Sequence, residues 1–159
     1  MRKPPLPLYV AMGAALQGSV YSALALLAAR RDRRLGWHRG RPGPLNRLGL
    51  GLGAAGVAML AWAAAGHHHG SPDEVRIGIT ADYMTQRGAY AHTRNPLYVG
   101  GMALWFGWAL WRGSRRSALL GGLWLAGLAT LGVPFEERKL QAKFGNAYTE
   151  YQRRVPRWL

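Results

Sequence analysis

The sequence predicts an all-α fold: a polytopic membrane helical bundle of about four transmembrane helices, followed by a C-terminal amphipathic helical segment. Two observations predict it. Four stretches, 7–29, 48–66, 96–111 and 117–135, hold none of the 21 Lys/Arg or the 7 Asp/Glu. Arginine gathers instead at their ends, as Arg30, Arg31, Arg33 and Arg34 after the first and Arg112, Arg115 and Arg116 after the third. A helix of a soluble domain keeps a wet, charged face. Exclusion of charge from whole helix-length blocks is what a hydrocarbon layer demands.

Each element follows in order. At 159 residues the chain has room for one domain, 1–159. Residues 1–6 are a short basic, proline-containing lead. The blocks are 23, 19, 16 and 19 residues long, against about 20 for a spanning helix. The third is short, and snorkelling Arg94 and Arg112 can extend it. Residues 36–46 (GWHRGRPGPLN) read as a Gly/Pro-rich loop. Gly49 and Gly53 form a small-xxx-small face that lets helices approach closely, and intramolecular packing is favoured over a homodimer. Residues 67–95 are too polar to span. Blocks three and four, joined only by 112–116, should form an antiparallel helical hairpin. In 136–159, Leu140, Phe144, Tyr148, Tyr151 and Val155 recur at helical spacing, with a break expected near Gly145.

The formal net charge is +14. Segregation of that charge beside apolar blocks suits anionic lipid headgroups and argues against nucleic acid as a partner. There is no cysteine, hence no disulfide, thiolate metal site or cysteine nucleophile. His67, His68 and His69 are consecutive and cannot share a helix face, so they make a poor metal site. Lys/Arg are balanced between the two sides of a four-span chain, and the positive-inside rule gives no orientation.

Two constellations can carry chemistry. The first is Gly88–Gly100 (GAYAHTRNPLYVG), where the polar loop enters block three. Pro96 suits the first turn of a helix. Arg94 and Asn95 then sit at its N-terminus, where free backbone donors and partial positive charge favour an anion. The bland alternative is a helix start with a snorkelling arginine. The second is the pair Glu136–Glu137 after block four. Glu136 precedes Leu140 and Phe144 at four-residue steps and is expected on the apolar face, with Glu137 about 100° round the helix. Either could pair with Arg94, or bind an amine, ribose hydroxyls or a sulfonium. The alternative is solvated pairing with Arg138 or Lys139.

Taken together the order is G-x-Y-x-x-x-R-N-P-x-Y-x-G, an apolar hairpin, then E-E-x-x-L-x-x-x-F-G-x-x-Y-x-x-Y-x-x-x-V-P. This resembles the isoprenylcysteine carboxyl methyltransferase and phospholipid methyltransferase superfamily of integral membrane enzymes, over 88–158. The resemblance implies an S-adenosylmethionine pocket facing the cytoplasm, built from motifs 88–100 and 136–156. Carried over by position, Tyr90, Arg94, Asn95, Pro96 and Tyr98 line one wall, Glu136 and Glu137 contribute to the other, and Tyr148 and Tyr151 close it. Arg94 and Glu137 are the implied catalytic residues. The implied acceptor is lipophilic: an isoprenylcysteine-like carboxylate, a phospholipid amine or a small thiol, reaching the site from the bilayer. The implied location is an inner or plasma membrane, with both termini and the 67–95 loop on the cytoplasmic side.

The chain departs from the family pattern at Asn95, where histidine is usual. Asparagine cannot exchange a proton near neutral pH, which leaves His92 as a substitute. It also opens a non-enzymatic alternative, a membrane scaffold or interaction protein that keeps the fold.

Overall fold

The computed structural model describes residues 34–70 and 83–159, together with Pro5, Leu27 and Asp32. The first apolar block, 7–29, therefore lies outside the described residues except for Leu27, and so does 71–82 of the polar loop. Among the described residues the architecture is helical, and the sheet is a single two-stranded hairpin.

That hairpin replaces the expected loop at 36–46. Strands β1 (Trp37–His38) and β2 (Arg41–Pro42) pair antiparallel. The turn residues Arg39 and Gly40 both have positive φ, 47° and 77°, as a tight turn matched to strand twist requires. Helix α1 (Pro44–Gly70) starts with proline in its first turn, where no N–H is needed. Its start is tied down by Asn46, which is buried. The Asn46 amide donates to the carbonyls of Leu35 at 3.0 Å and Leu110 at 2.8 Å. α1 runs past the expected end at Gly66 and takes His67, His68 and His69 into its last turn. Gly66 serves as a point of close approach, where a Cβ would lie 2.9 Å from Arg87 O, rather than as a stop, and imidazoles are well placed against the carbonyl end of a helix dipole.

Helix α2 (Pro96–Arg112) packs along α1 through backbone contact. A Cβ on Gly56 would lie 2.5 Å from Leu104 N, and one on Gly107 2.5 Å from Gly53 N. A Cβ on Gly49 would meet Trp111 N at 2.5 Å. The glycine face seen in the sequence is thus used within the chain. In lipid, where apolar burial gives helices little reason to associate, such close approach supplies the packing.

Gly113, with φ 64°, ends α2, and Ser114 caps the next helix by accepting from Ser117 N. The expected hairpin is present. Helix α3 (Arg115–Phe144) is continuous over 30 residues, comprising an α segment to Gly127, a π turn at Leu128–Gly132 and a second α segment from Val133. Pro134 follows the π turn. A proline ring crowds the carbonyl four residues back, here Thr130, and a widened turn relieves that clash. α3 therefore carries Glu136 and Glu137 on the same rod as the fourth apolar block. Gly145, at φ 53° and ψ −127°, breaks the chain as expected, and helix α4 (Asn146–Arg154) follows.

α1 and α3 are each long and apolar enough to cross a membrane, with mean hydropathy 1.7. Their outer faces are leucine-rich: Leu48 is 66 % exposed, Leu123 71 % and Leu131 74 %. Such a surface suits acyl chains and would be costly in water.

Candidate active site

The end of the bundle opposite the β-hairpin gathers the end of α1, the start of α2, the lower part of α3 and the C-terminal segment. Four turns of sequence converge there for local reasons. A 3-10 turn (Gly88–Ala91) opens with Gly88, whose φ of 61° suits glycine. Thr93 and Asn95 then form a small knot, the Asn95 N–H donating to Thr93 Oγ1 at 3.2 Å. The tail beyond α4 docks on this knot. Arg94 N–H donates to the Pro156 carbonyl at 2.9 Å. Thr93 Oγ1 and Asn95 Nδ2 both donate to the Arg157 carbonyl at 3.0 Å.

At the centre is a buried charge cluster. Arg94 Nη1 lies 2.8 Å from Glu137 Oε1. Arg157 grips the same carboxylate with two aligned hydrogen bonds, Nε to Oε1 at 3.1 Å and Nη2 to Oε2 at 2.6 Å. The Arg94 and Glu137 side chains are 11 % and 10 % exposed, whereas that of Arg157 is 39 % exposed. The Arg94 Nη1 contact is a charge contact without hydrogen-bond alignment, and its buried Nε has no hydrogen-bond partner among the described residues. The bond to Glu137 holds the Arg157 guanidinium above its usual pKa.

The expectation that Glu136 faces the apolar side is overturned. Glu136 is exposed and accepts from the Tyr98 hydroxyl at 3.0 Å, while Glu137 turns inward. Glu137 precedes Leu140 and Phe144 by three and seven residues, a spacing as helical as four and eight. Both glutamates therefore flank the same stripe, and the two guanidiniums on one side decide which is buried.

The aromatic stripe is a core. Tyr148, Tyr151 and Val155 are buried, with Leu140, Phe144 and Met84 packed against them. The Tyr151 hydroxyl donates to the Tyr90 carbonyl at 2.7 Å, so it joins α4 to the 3-10 turn. Burial, then the neighbouring Tyr148, pushes the Tyr151 phenol up to about 12. Burial, then the Glu137 charge, also raises Tyr148, and the adjoining Arg94 opposes that shift.

The structure thus brings together Arg94, Glu137 and Tyr148, with Tyr98–Glu136 and Tyr90–Tyr151 as flanking pairs. Asn95 is committed to the tail through its amide, and Pro96 is buried as the helix start. His92 lies tilted against Trp62, with ring centroids 5.3 Å apart, and is exposed. Sequence reasoning missed Arg157. It is one of many C-terminal arginines and sits in no periodic pattern, so nothing in the sequence distinguished it. His67, set aside in the sequence as part of a poor metal site, lies with its ring against Tyr83 and 6.1 Å from Tyr90. Its signal was the imidazole run at the end of an apolar block.

The residues fit a ligand that carries an amino-acid carboxylate and ammonium. The buried Arg94 Nε offers an unused donor for a carboxylate, and the exposed Glu136 suits hydroxyls or an ammonium. In comparisons with known proteins, the family model for phospholipid methyltransferase matches residues 47–147. That stretch contains the first motif and the second as far as Ala147, and ends before Tyr148, Tyr151 and Arg157. No curated protein matches the chain significantly.

Proposed function

Because the chain belongs to the phospholipid methyltransferase family, we propose that it is an S-adenosylmethionine-dependent membrane methyltransferase acting on a lipophilic acceptor. The acceptor classes are an isoprenylcysteine-like carboxylate, a phospholipid amine or a small thiol. The observation that carries this reading is the buried Arg94 beside Glu137, with an uncommitted Nε, at the meeting of the two family motifs.

When bound, S-adenosylmethionine supplies an electrophilic methyl group. The protein's part is to bind and orient. Arg94 would hold the carboxylate, Glu136 with Tyr98 the hydroxyls or ammonium, and Tyr90 would lie beside the nucleoside. Tyr148 and Tyr151 support these groups from the core. Orientation of nucleophile and methyl in line supplies much of the rate in such a transfer. An acceptor carboxylate or thiolate needs no base. An amine acceptor must lose a proton. Four spans with the site on the cytoplasmic side complete the reading, since that is where the cofactor is made.

Calorimetric titration of S-adenosylmethionine and its demethylated product into detergent-purified protein tests this. Saturable binding weakened by Arg94→Ala is expected. No binding by folded protein overturns it and puts the non-catalytic scaffold first. The engagement of Asn95 with the tail, at the position where the family usually has histidine, favours that second reading.

A further inference from the structure

Glu137 is a single carboxylate between two guanidiniums. The cluster Arg94–Glu137–Arg157 therefore carries one surplus positive charge. The two arginines also share the carboxylate unequally. Arg157 takes both oxygens in aligned hydrogen bonds. Arg94, the more buried of the two, has one unaligned charge contact with Glu137, a side-chain hydrogen bond with Tyr148, and a buried Nε with no partner among the described residues. Resting on the methyltransferase reading, we propose that Arg157 is a positioning residue that neutralises Glu137 through both oxygens and so leaves Arg94 free to take the carboxylate of the cofactor.

The charge balance carries the argument. With Arg157 present, an arriving carboxylate brings the buried cluster from +1 to 0. Without Arg157, Arg94 and Glu137 already cancel. The same carboxylate would then leave a net negative cluster and would compete with Glu137 for Arg94 in a poorly screened site. The tail that carries Arg157 is anchored by backbone and side-chain bonds from Arg94, Thr93 and Asn95. Arg157 itself lies beyond the family-matched region, which ends at residue 147, but every group that anchors the tail or meets its guanidinium lies within it.

The test compares two probes on wild-type, Arg157→Gln and Arg157→Lys protein. One probe is S-adenosylmethionine. The other is its decarboxylated form, which keeps the sulfonium, ammonium and nucleoside and lacks the carboxylate. Calorimetry should show Arg157→Gln binding S-adenosylmethionine about tenfold or more weakly, the scale of one charge-assisted hydrogen bond. Affinity for the decarboxylated probe should hold or rise. Arg157→Lys, which restores the charge, should recover most of the loss. Unchanged S-adenosylmethionine affinity in Arg157→Gln overturns the assignment. So does an equal loss for both probes, the mark of a merely structural role, or a lysine variant as weak as the glutamine one. If wild-type protein binds neither probe, the methyltransferase reading itself falls and the Arg157 assignment with it.

Discussion

The Tyr98 hydroxyl donates to Glu136 at 3.0 Å on the exposed side of α3, while the adjacent Glu137 is buried against Arg94 and Arg157. Two neighbouring carboxylates thus occupy opposite environments, and their removal should have opposite signatures. Glu137→Gln leaves two guanidiniums facing each other in a buried site. Breaking a buried pair costs on the order of 3–5 kcal/mol, and the partial exposure of Arg157 places this case at the low end. Glu136→Gln should leave thermal stability within about 0.5 kcal/mol and act on ligand affinity. Melting curves in detergent beside binding isotherms check the split. Equal, negligible effects from both would return the pair to surface charge.

Arg94→Ala should weaken S-adenosylmethionine binding by about 1.5–3 kcal/mol, the loss of a hydrogen bond to a charged group. Calorimetry on folded variant protein is the measurement. Unchanged affinity removes Arg94 from the site.

The glycine contacts predict a directional result. Gly56→Ala and Gly107→Ala would push a methyl to 2.5 Å from facing backbone. The helices must separate, at a cost on the order of 1–3 kcal/mol for overpacking. Gly122→Ala meets nothing within 4 Å among the described residues and should be neutral or stabilising by up to about 1 kcal/mol from helix propensity. Thermal midpoints of the three variants in one detergent decide it.

Tyr151 should give the protein an alkaline weakness. Its folded pKa is raised from about 10 to about 12, so the neutral phenol is favoured in the native state. That contribution is complete below about pH 10 and is lost as pH rises toward 12. Tyr151→Phe should cost about 1 kcal/mol at neutral pH through the lost bond to the Tyr90 carbonyl. It should also flatten the decline in stability above pH 10. Unfolding followed at pH 8 and pH 11 tests both statements.

Much of the fold was legible without coordinates, because a bilayer imposes length and charge rules that a sequence displays directly. The helical hairpin, the break at Gly145, the start of α2 at Pro96 and the α4 aromatic stripe all follow from local chemistry: apolar length, a proline that suits a first turn, a glycine that adopts positive φ. The hairpin strands at 37–42 were less legible, since a two-residue pairing is set by turn geometry and leaves no alternation to read.

What the sequence determined by itself was the class of fold, the apolar blocks and two motifs at the ends of a hairpin. What only the tertiary structure decided was partnership. Helical periodicity ranks Glu136 and Glu137 equally against Leu140 and Phe144. It cannot say which meets Arg94, and it carries no mark that singles out Arg157. Those choices depend on where α2, α3 and the tail come to lie relative to one another, and the energy of a buried ion pair depends on that long-range placement. The glycines show the same division. Their spacing announced a close approach, and only the packed helices showed that α2 is the neighbour.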